Sequence, residues 1–271
     1  MAGLIYNFKN QDQPSVDGAH ARTMAEGTLA DERISLLNEA LPQCSKMLEG
    51  FFTAGAPESR NQFVYQPIEN AAAMARFYAL NPFPKVNLGK LRRQNQEMIH
   101  VNGEWMVLTR WNEDTPDGQT FDAIFRKEGE DWRLDWRHLS HYSDFPWVLF
   151  LAGEGPDVAE FRLLARKRLS QDPQNTNTGK FFITLAAPEF GYPMKVISES
   201  SEFVLKQNNP DGELLSTAFD SNLQSRKILG SSVDTLQAEG WLTVRVKVRR
   251  DTGSGIKSFH LEKLFACDWL N

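Results

Sequence analysis

The densest cluster of side chains able to move a proton or hold an ion is Trp136-Arg137-His138-Leu139-Ser140-His141-Tyr142-Ser143-Asp144, preceded by Trp132 and Asp135. Two imidazoles three residues apart share one face of a helix but point oppositely on a strand, so the element beneath them decides whether they act together. The alternation just upstream favours a strand and therefore separation. A metal ion would need a third ligand, and no HExxH or HxH spacing supplies one. An Asp or His buried beside aromatic rings acquires a shifted pKa suited to general-base work. Trp132, Asp135, Trp136, His138, Tyr142 and Asp144 are thus the candidate lining of a small-molecule pocket, although Asp135 alternates outward in the strand register. Polar residues at a strand end are the simpler description, so no catalytic residue, metal or cofactor is assigned.

Two basic groups stand apart from this cluster. Arg245, Lys247, Arg249 and Arg250 are read as one face of a strand, and Arg166, Lys167 and Arg168 form the second group. Such stripes would suit phosphate or an acidic lipid surface. A solvated strand face answered by Glu262 or Glu202 needs no ligand at all. The net charge of −5 argues against a general nucleic-acid binder, and nucleic acid is not expected as a partner. GxGxxG, GxxxxGK[ST] and GxSxG patterns are absent, which removes nucleotide-loop and nucleophile-elbow readings. Cys44 and Cys267 form no CxxC pair or disulfide framework and read as buried thiols.

The elements that must position these residues follow from periodicity. With 41% hydrophobic residues, including 7 Trp and 18 Phe, the chain has material for a substantial core. Residues 1–30 read as a flexible arm, because 7–30 show neither a helical nor a strand period. The apolar opening Ala2 to Tyr6 has two readings, the stub of a membrane helix or a segment packed on the body. A helical stripe runs through Ile34, Leu37, Leu41, Cys44, Leu48 and Phe51, bent or divided at Pro42. A helical turn is expected at 57–62. Pro67 opens another helix, which stops before Asn81-Pro82, with either Ile68, Ala72, Ala75 and Leu80 or Phe77 and Tyr78 turned inward.

The period then becomes two. Trp105, Val107, Thr109 and Trp111, then Phe121, Ala123 and Phe125, then Trp132, Leu134 and Trp136 predict an antiparallel meander with one aromatic, buried face. Residues 31–154 form this first unit. From Gly155 a second, smaller antiparallel α+β unit is expected over 155–271. Its extended segments are 159–169, 180–187, 194–206, 214–219, 241–249 and 259–264, with a helix over 223–236. The fold class is α+β, helices followed by a curved antiparallel sheet.

The stretch MLEGFFTAGAPESRNQFVYQPIENAAAMARFYALNPF, with Trp132-Arg133-Leu134-Asp135-Trp136 and the closing LEKLFACDWL, resembles a group of uncharacterised bacterial proteins, often membrane-anchored. The resemblance rests on Phe51 to Ala54, Val64 to Pro67, Met74 with Phe77-Tyr78, and the tryptophan-bearing strands. It implies an NTF2-like first unit and an N-terminal membrane anchor, and it carries no catalytic residues. The expectation is a non-enzymatic binding or protein-interaction module, with an unknown protein or small molecule as partner. A small-molecule lyase, isomerase or hydrolase using an NTF2-like pocket is the alternative. Oligomeric state and compartment are not legible.

Overall fold

The computed structural model describes residues 16–101, 103–115, 120–168, 179–188, 196–229, 240–251 and 257–269. The architecture is α+β, with helices preceding a four-stranded antiparallel sheet and a six-stranded antiparallel sheet following it.

Helix α1 (Val16–Thr53) is one continuous element with Pro42 inside it. Ala40, Leu41, Cys44, Leu48 and Phe51 are buried at the three- and four-residue spacing that puts side chains on one helix face. Residues 16–30, expected to be irregular, are helical. Ala21, Met24, Ala25, Glu26 and Leu29 are strong helix formers, and the missing apolar stripe bears on packing rather than on helicity. Residues 1–15, with the Ala2 to Tyr6 question, lie outside the described residues.

Helix α2 (Pro57–Arg60) runs into a 3-10 turn at Asn61–Phe63, and α3 (Pro67–Leu80) starts with its proline at the first turn. The missing amide of a proline costs nothing there. α3 buries Asn70, Ala73 and Met74 and packs Phe77 and Tyr78 on the core, whereas Ile68 is 87% exposed. The Phe77–Tyr78 face is therefore the inward one.

The first sheet has the order β1 (Leu91–Val101), β2 (Glu104–Glu113), β3 (Thr120–Glu128), β4 (Asp131–Leu134). Val107 pairs with Phe125, Thr109 with Ala123 and Trp111 with Phe121, and Leu134 continues the row opposite Phe125. With Trp132, this face meets α1 and α3 in one core. Two tryptophans depart from expectation. Trp105, at the far end of β2, is 38% exposed and lies against His100, with Arg33 of α1 over it. Trp136 is buried but has left the strand for the short helix α4 (Trp136–Leu139).

After α5 (Trp147–Ala152) comes the second sheet, with β5 (Val158–Arg168), β6 (Lys180–Pro188), β7 (Val196–Ile197) and β8 (Phe203–Lys206). Helix α6 (Pro210–Leu229), β9 (Trp241–Asp251) and β10 (Ser258–Ala266) complete it. The strand order is β10-β9-β5-β6-β7, with β8 also paired to β6. Phe161, Leu163, Ala165, Ile183, Leu185, Val244, Val246 and Val248 make its core together with Leu215 and Phe219 of α6.

Residues 214–219, expected to be extended, are thus helical. Asn209 Oδ1 accepts from the Gly212 amide at 2.6 Å, Pro210 leads the helix, and Asp211 and Glu213 lie in its first turn. The run NNPDGE is a helix start, with cap, proline and acids in their favoured places. Gly212 is also sterically required, because a Cβ there would fall onto the Lys206 carbonyl oxygen. The expected strand 194–206 is broken instead into β7 and β8, with Ser198 at φ 54° between them. Residues 194–195 and 230–236 lie outside the described residues.

On the other face of the second sheet, Leu164, Ala186, Trp241 and Trp269 form a smaller cluster. No helix among the described residues is long and apolar enough to cross a membrane.

Candidate functional site

The candidate residues converge where α4 and the turn after it meet that smaller cluster. The backbone leaves β4 at Leu134, and Asp135 caps α4 by accepting from the His138 amide on Oδ1 at 3.0 Å. Asp135 Oδ2 accepts from Arg126 Nε at 2.8 Å. Asp135 is therefore buried rather than outward, because the strand ends one residue before it and its register no longer applies. Arg126 also reaches Glu104 at 3.1 Å.

His138 and His141 do not follow a strand either. His138 lies in α4, and His141 ends the turn with φ 51°, its amide donating to the His138 carbonyl. Both imidazoles face the second sheet. The Trp269 backbone is near enough to His138 to favour its protonated form, and the His141 ring lies 4.5 Å from the Trp269 indole. Trp269 Nε1 is shared between the Leu163 and Val244 carbonyls at 3.2 and 3.1 Å, which fixes the indole on the sheet. Arg162 of β5 donates to the Tyr142 carbonyl at 3.0 Å and its amide to Ser143 Oγ at 2.9 Å. Both histidine Nδ1 atoms are sealed from water without a hydrogen-bond partner.

Burial therefore keeps both rings neutral. It lowers His138 against the pull of Asp135 and Asp122, and it lowers His141 to about 3, reinforced by the neighbouring His138 and Arg162.

The aromatic candidates are packed among themselves. Trp136 lies 4.9 Å from Tyr142 and 5.6 Å from Phe77, and its Nε1 donates to the Tyr78 hydroxyl at 2.9 Å. Trp132 belongs to the same core but sits on the sheet. Asp144 is exposed and is not among the residues brought together here. Arg126, Arg162 and Trp269 complete the cluster, and none was identified from sequence. Arg126 and Arg162 bear no motif, and Trp269 entered only through the closing LEKLFACDWL of the family resemblance.

The basic stripes and the two cysteines are engaged or shielded. Arg245 pairs with Glu160 at 3.0 Å, and Lys247 and Arg249 share Glu262 at 3.8 and 3.6 Å, so that stripe is answered much as a solvated face should be. Arg250 does not belong to it, because its side chain turns to the opposite face and is buried. Glu199, rather than Glu202, answers Arg166 and Arg168, at 2.9 and 2.7 Å. Burial alone would raise the Glu199 carboxyl, but hydrogen bonds from Thr184 and Arg166 and the charges of both arginines hold it below the ordinary value. Burial pushes the Cys44 thiol to about 12 and Cys267 to about 11. Both thiols should resist alkylation at pH 8 in the folded protein and react in urea, as mass spectrometry after iodoacetamide treatment would show. Among the described residues, no group of three or more His, Cys, Asp or Glu could hold a metal ion.

Comparison with known protein families, curated proteins and solved structures gives no match to this chain.

Proposed function

We propose that the chain is a non-enzymatic binding or protein-interaction module whose helices and first sheet are of the NTF2-like kind. The observation that carries this reading is the commitment of Asp135. One oxygen serves the α4 cap and the other the Arg126 guanidinium, so the best-placed carboxylate holds α4 in position instead of facing a substrate. Trp136, Phe77, Tyr78 and Tyr142 fill the space beside it. A lyase, isomerase or hydrolase would instead need an ionisable group directed at an open cavity. The family resemblance extends the reading to the soluble part of an envelope-anchored protein, which fractionation of cells producing the native protein checks.

A thermal-shift screen against metabolites and metal ions, run on the parent and on an Asp135→Ala/His138→Ala variant, tests the main claim. The variant should melt lower without ligand, because a helix cap worth about 1 kcal/mol and the Arg126 partner are both lost. No compound should stabilise the parent in a way the variant loses. One that does would place a small-molecule site at Asp135 and His138 and favour the enzyme.

A further inference from the structure

Arg60 is the last residue of α2 and is only 7% exposed. Its guanidinium carbon lies 3.4 Å from the centroid of the Phe83 ring and 5.6 Å from that of Tyr78. Phe83 in turn touches Tyr78 at 5.2 Å, Phe51 at 5.6 Å and Phe52 at 5.9 Å, and Phe52 meets Phe121 at 5.8 Å. Phe52, Tyr78, Phe83 and Phe121 are each only partly buried, so the rings form a rim and not a closed core.

What sets Arg60 apart is the lack of an acceptor. Among the described residues no carboxylate pairs with it and no oxygen accepts from it, and its Nε is sealed and unpartnered. The contrast is Arg250, equally buried, whose terminal nitrogens meet four oxygens. Burial lowers the Arg60 pKa, and Tyr78 and the exposed Glu58 only partly offset this. A buried cation is costly unless an anion or hydrogen-bond acceptors compensate it, and ring faces supply part of that compensation.

We infer that Arg60 and its aromatic rim bind a small molecule carrying one carboxylate on an apolar, preferably aromatic, body. A guanidinium fork matches a carboxylate with two parallel hydrogen bonds, and one negative charge cancels one positive charge. A phosphate monoester dianion would leave net charge among the rings. The body of the ligand would lie along Phe52, Phe83 and Phe121. This deepens the binding reading above by naming a ligand class, at a site apart from Asp135 and His138.

The test uses the full chain and titrates phenylacetate, phenylacetamide and phenyl phosphate by calorimetry, with thermal shift in parallel. Phenylacetate should bind saturably, the uncharged amide at least about tenfold more weakly, a difference that corresponds to about 1.4 kcal/mol. Arg60→Met should abolish the preference for the acid. The Asp135→Ala/His138→Ala variant should retain it, and losing it there would move the site away from Arg60 and overturn the proposal. Equal binding of acid and amide by the parent would overturn it without need of any variant. Tighter binding of phenyl phosphate would overturn the carboxylate assignment. Absence of binding by any probe, with Arg60→Met melting below the parent, would make Arg60 a stacking residue only.

Discussion

Replacing Arg250 with Met should lower the unfolding free energy by about 3 kcal/mol, since the carbonyls of buried Phe150 and of exposed Glu154 and Gly155 each lose a hydrogen bond worth about 1 kcal/mol. Arg250 is 4% exposed on β9, beneath the segment that links α5 to β5. Its Nη1 donates to the Phe150 and Glu154 carbonyls at 3.0 and 2.8 Å, and its Nη2 to Gly155 at 3.1 Å and Asp157 Oδ1 at 3.1 Å. The ion pair itself contributes little, because the Asp157 side chain is 72% exposed. The carbonyls decide the effect. A methionine fills the volume and leaves all three without this donor. Arg250→Lys keeps the charge but not the planar fork and should recover no more than about half of the loss. Urea unfolding followed by tryptophan fluorescence measures both variants. A loss below about 1 kcal/mol for the methionine variant would mean that water replaces the guanidinium without cost.

Acidification from pH 7 to pH 4 should destabilise the fold through the two histidines between α4 and the second sheet. In the unfolded chain they titrate near the ordinary 6.5, whereas folded His141 titrates near 3 and folded His138 is lowered in the same direction. Between those values the unfolded state binds more protons, so stability rises with pH. The contribution is complete above 6.5 and is lost as pH falls toward 3. At about 1.4 kcal/mol per pH unit, His141 alone accounts for a loss of roughly 3 kcal/mol by pH 4. The charged groups acting on the rings are Asp135 and Asp122, which favour protonation of His138, and Arg162, which opposes protonation of both. Carboxylates elsewhere also contribute to acid sensitivity, so the measurement is a difference. His141→Asn tolerates the positive φ and cannot titrate, and its stability should fall less steeply with acid than the parent's. Parallel slopes would refute the role given to His141.

The parts of the fold that were legible in sequence are those whose burial is one-sided. Val244, Val246 and Val248 alternate inward on β9, and Val107, Thr109 and Trp111 on β2, because one face of each strand meets a core while much of the other carries polar or half-exposed side chains. Strand β1 escaped notice because six consecutive side chains, Arg92 to Glu97, are exposed, leaving no alternation to read there. At Asn209 the cap, proline and acids of a helix start also fit a turn, and only the buried spacing of Leu215 and Phe219 separates the two.

The candidate cluster was half legible. Asp135, His138 and Tyr142 are near in sequence, and the structure does gather them with Trp136. Their roles depended on where β4 stops, however, and a one-residue change of element turns Asp135 from outward to capping. Arg126, Arg162 and Trp269 come from three other parts of the chain, so only the fold could bring them to the same place. Arg60 carried no signal at all, since its isolation from acceptors is a property of space.

The pairing of strands sets an order of birth on the ribosome. β1, β2 and β3 each pair with the next strand, so the first sheet can zip as each hairpin emerges. β5 can do the same on one side only, with β6, because Val158 to Arg166 pair on the other side with residues of β9 between Trp241 and Arg249. Through the synthesis of everything between, Phe161, Leu163 and Ala165 have one neighbouring strand at most and their outer edge is unpaired. That interval is the aggregation-prone period in the life of this chain, when binding by a chaperone would protect it most.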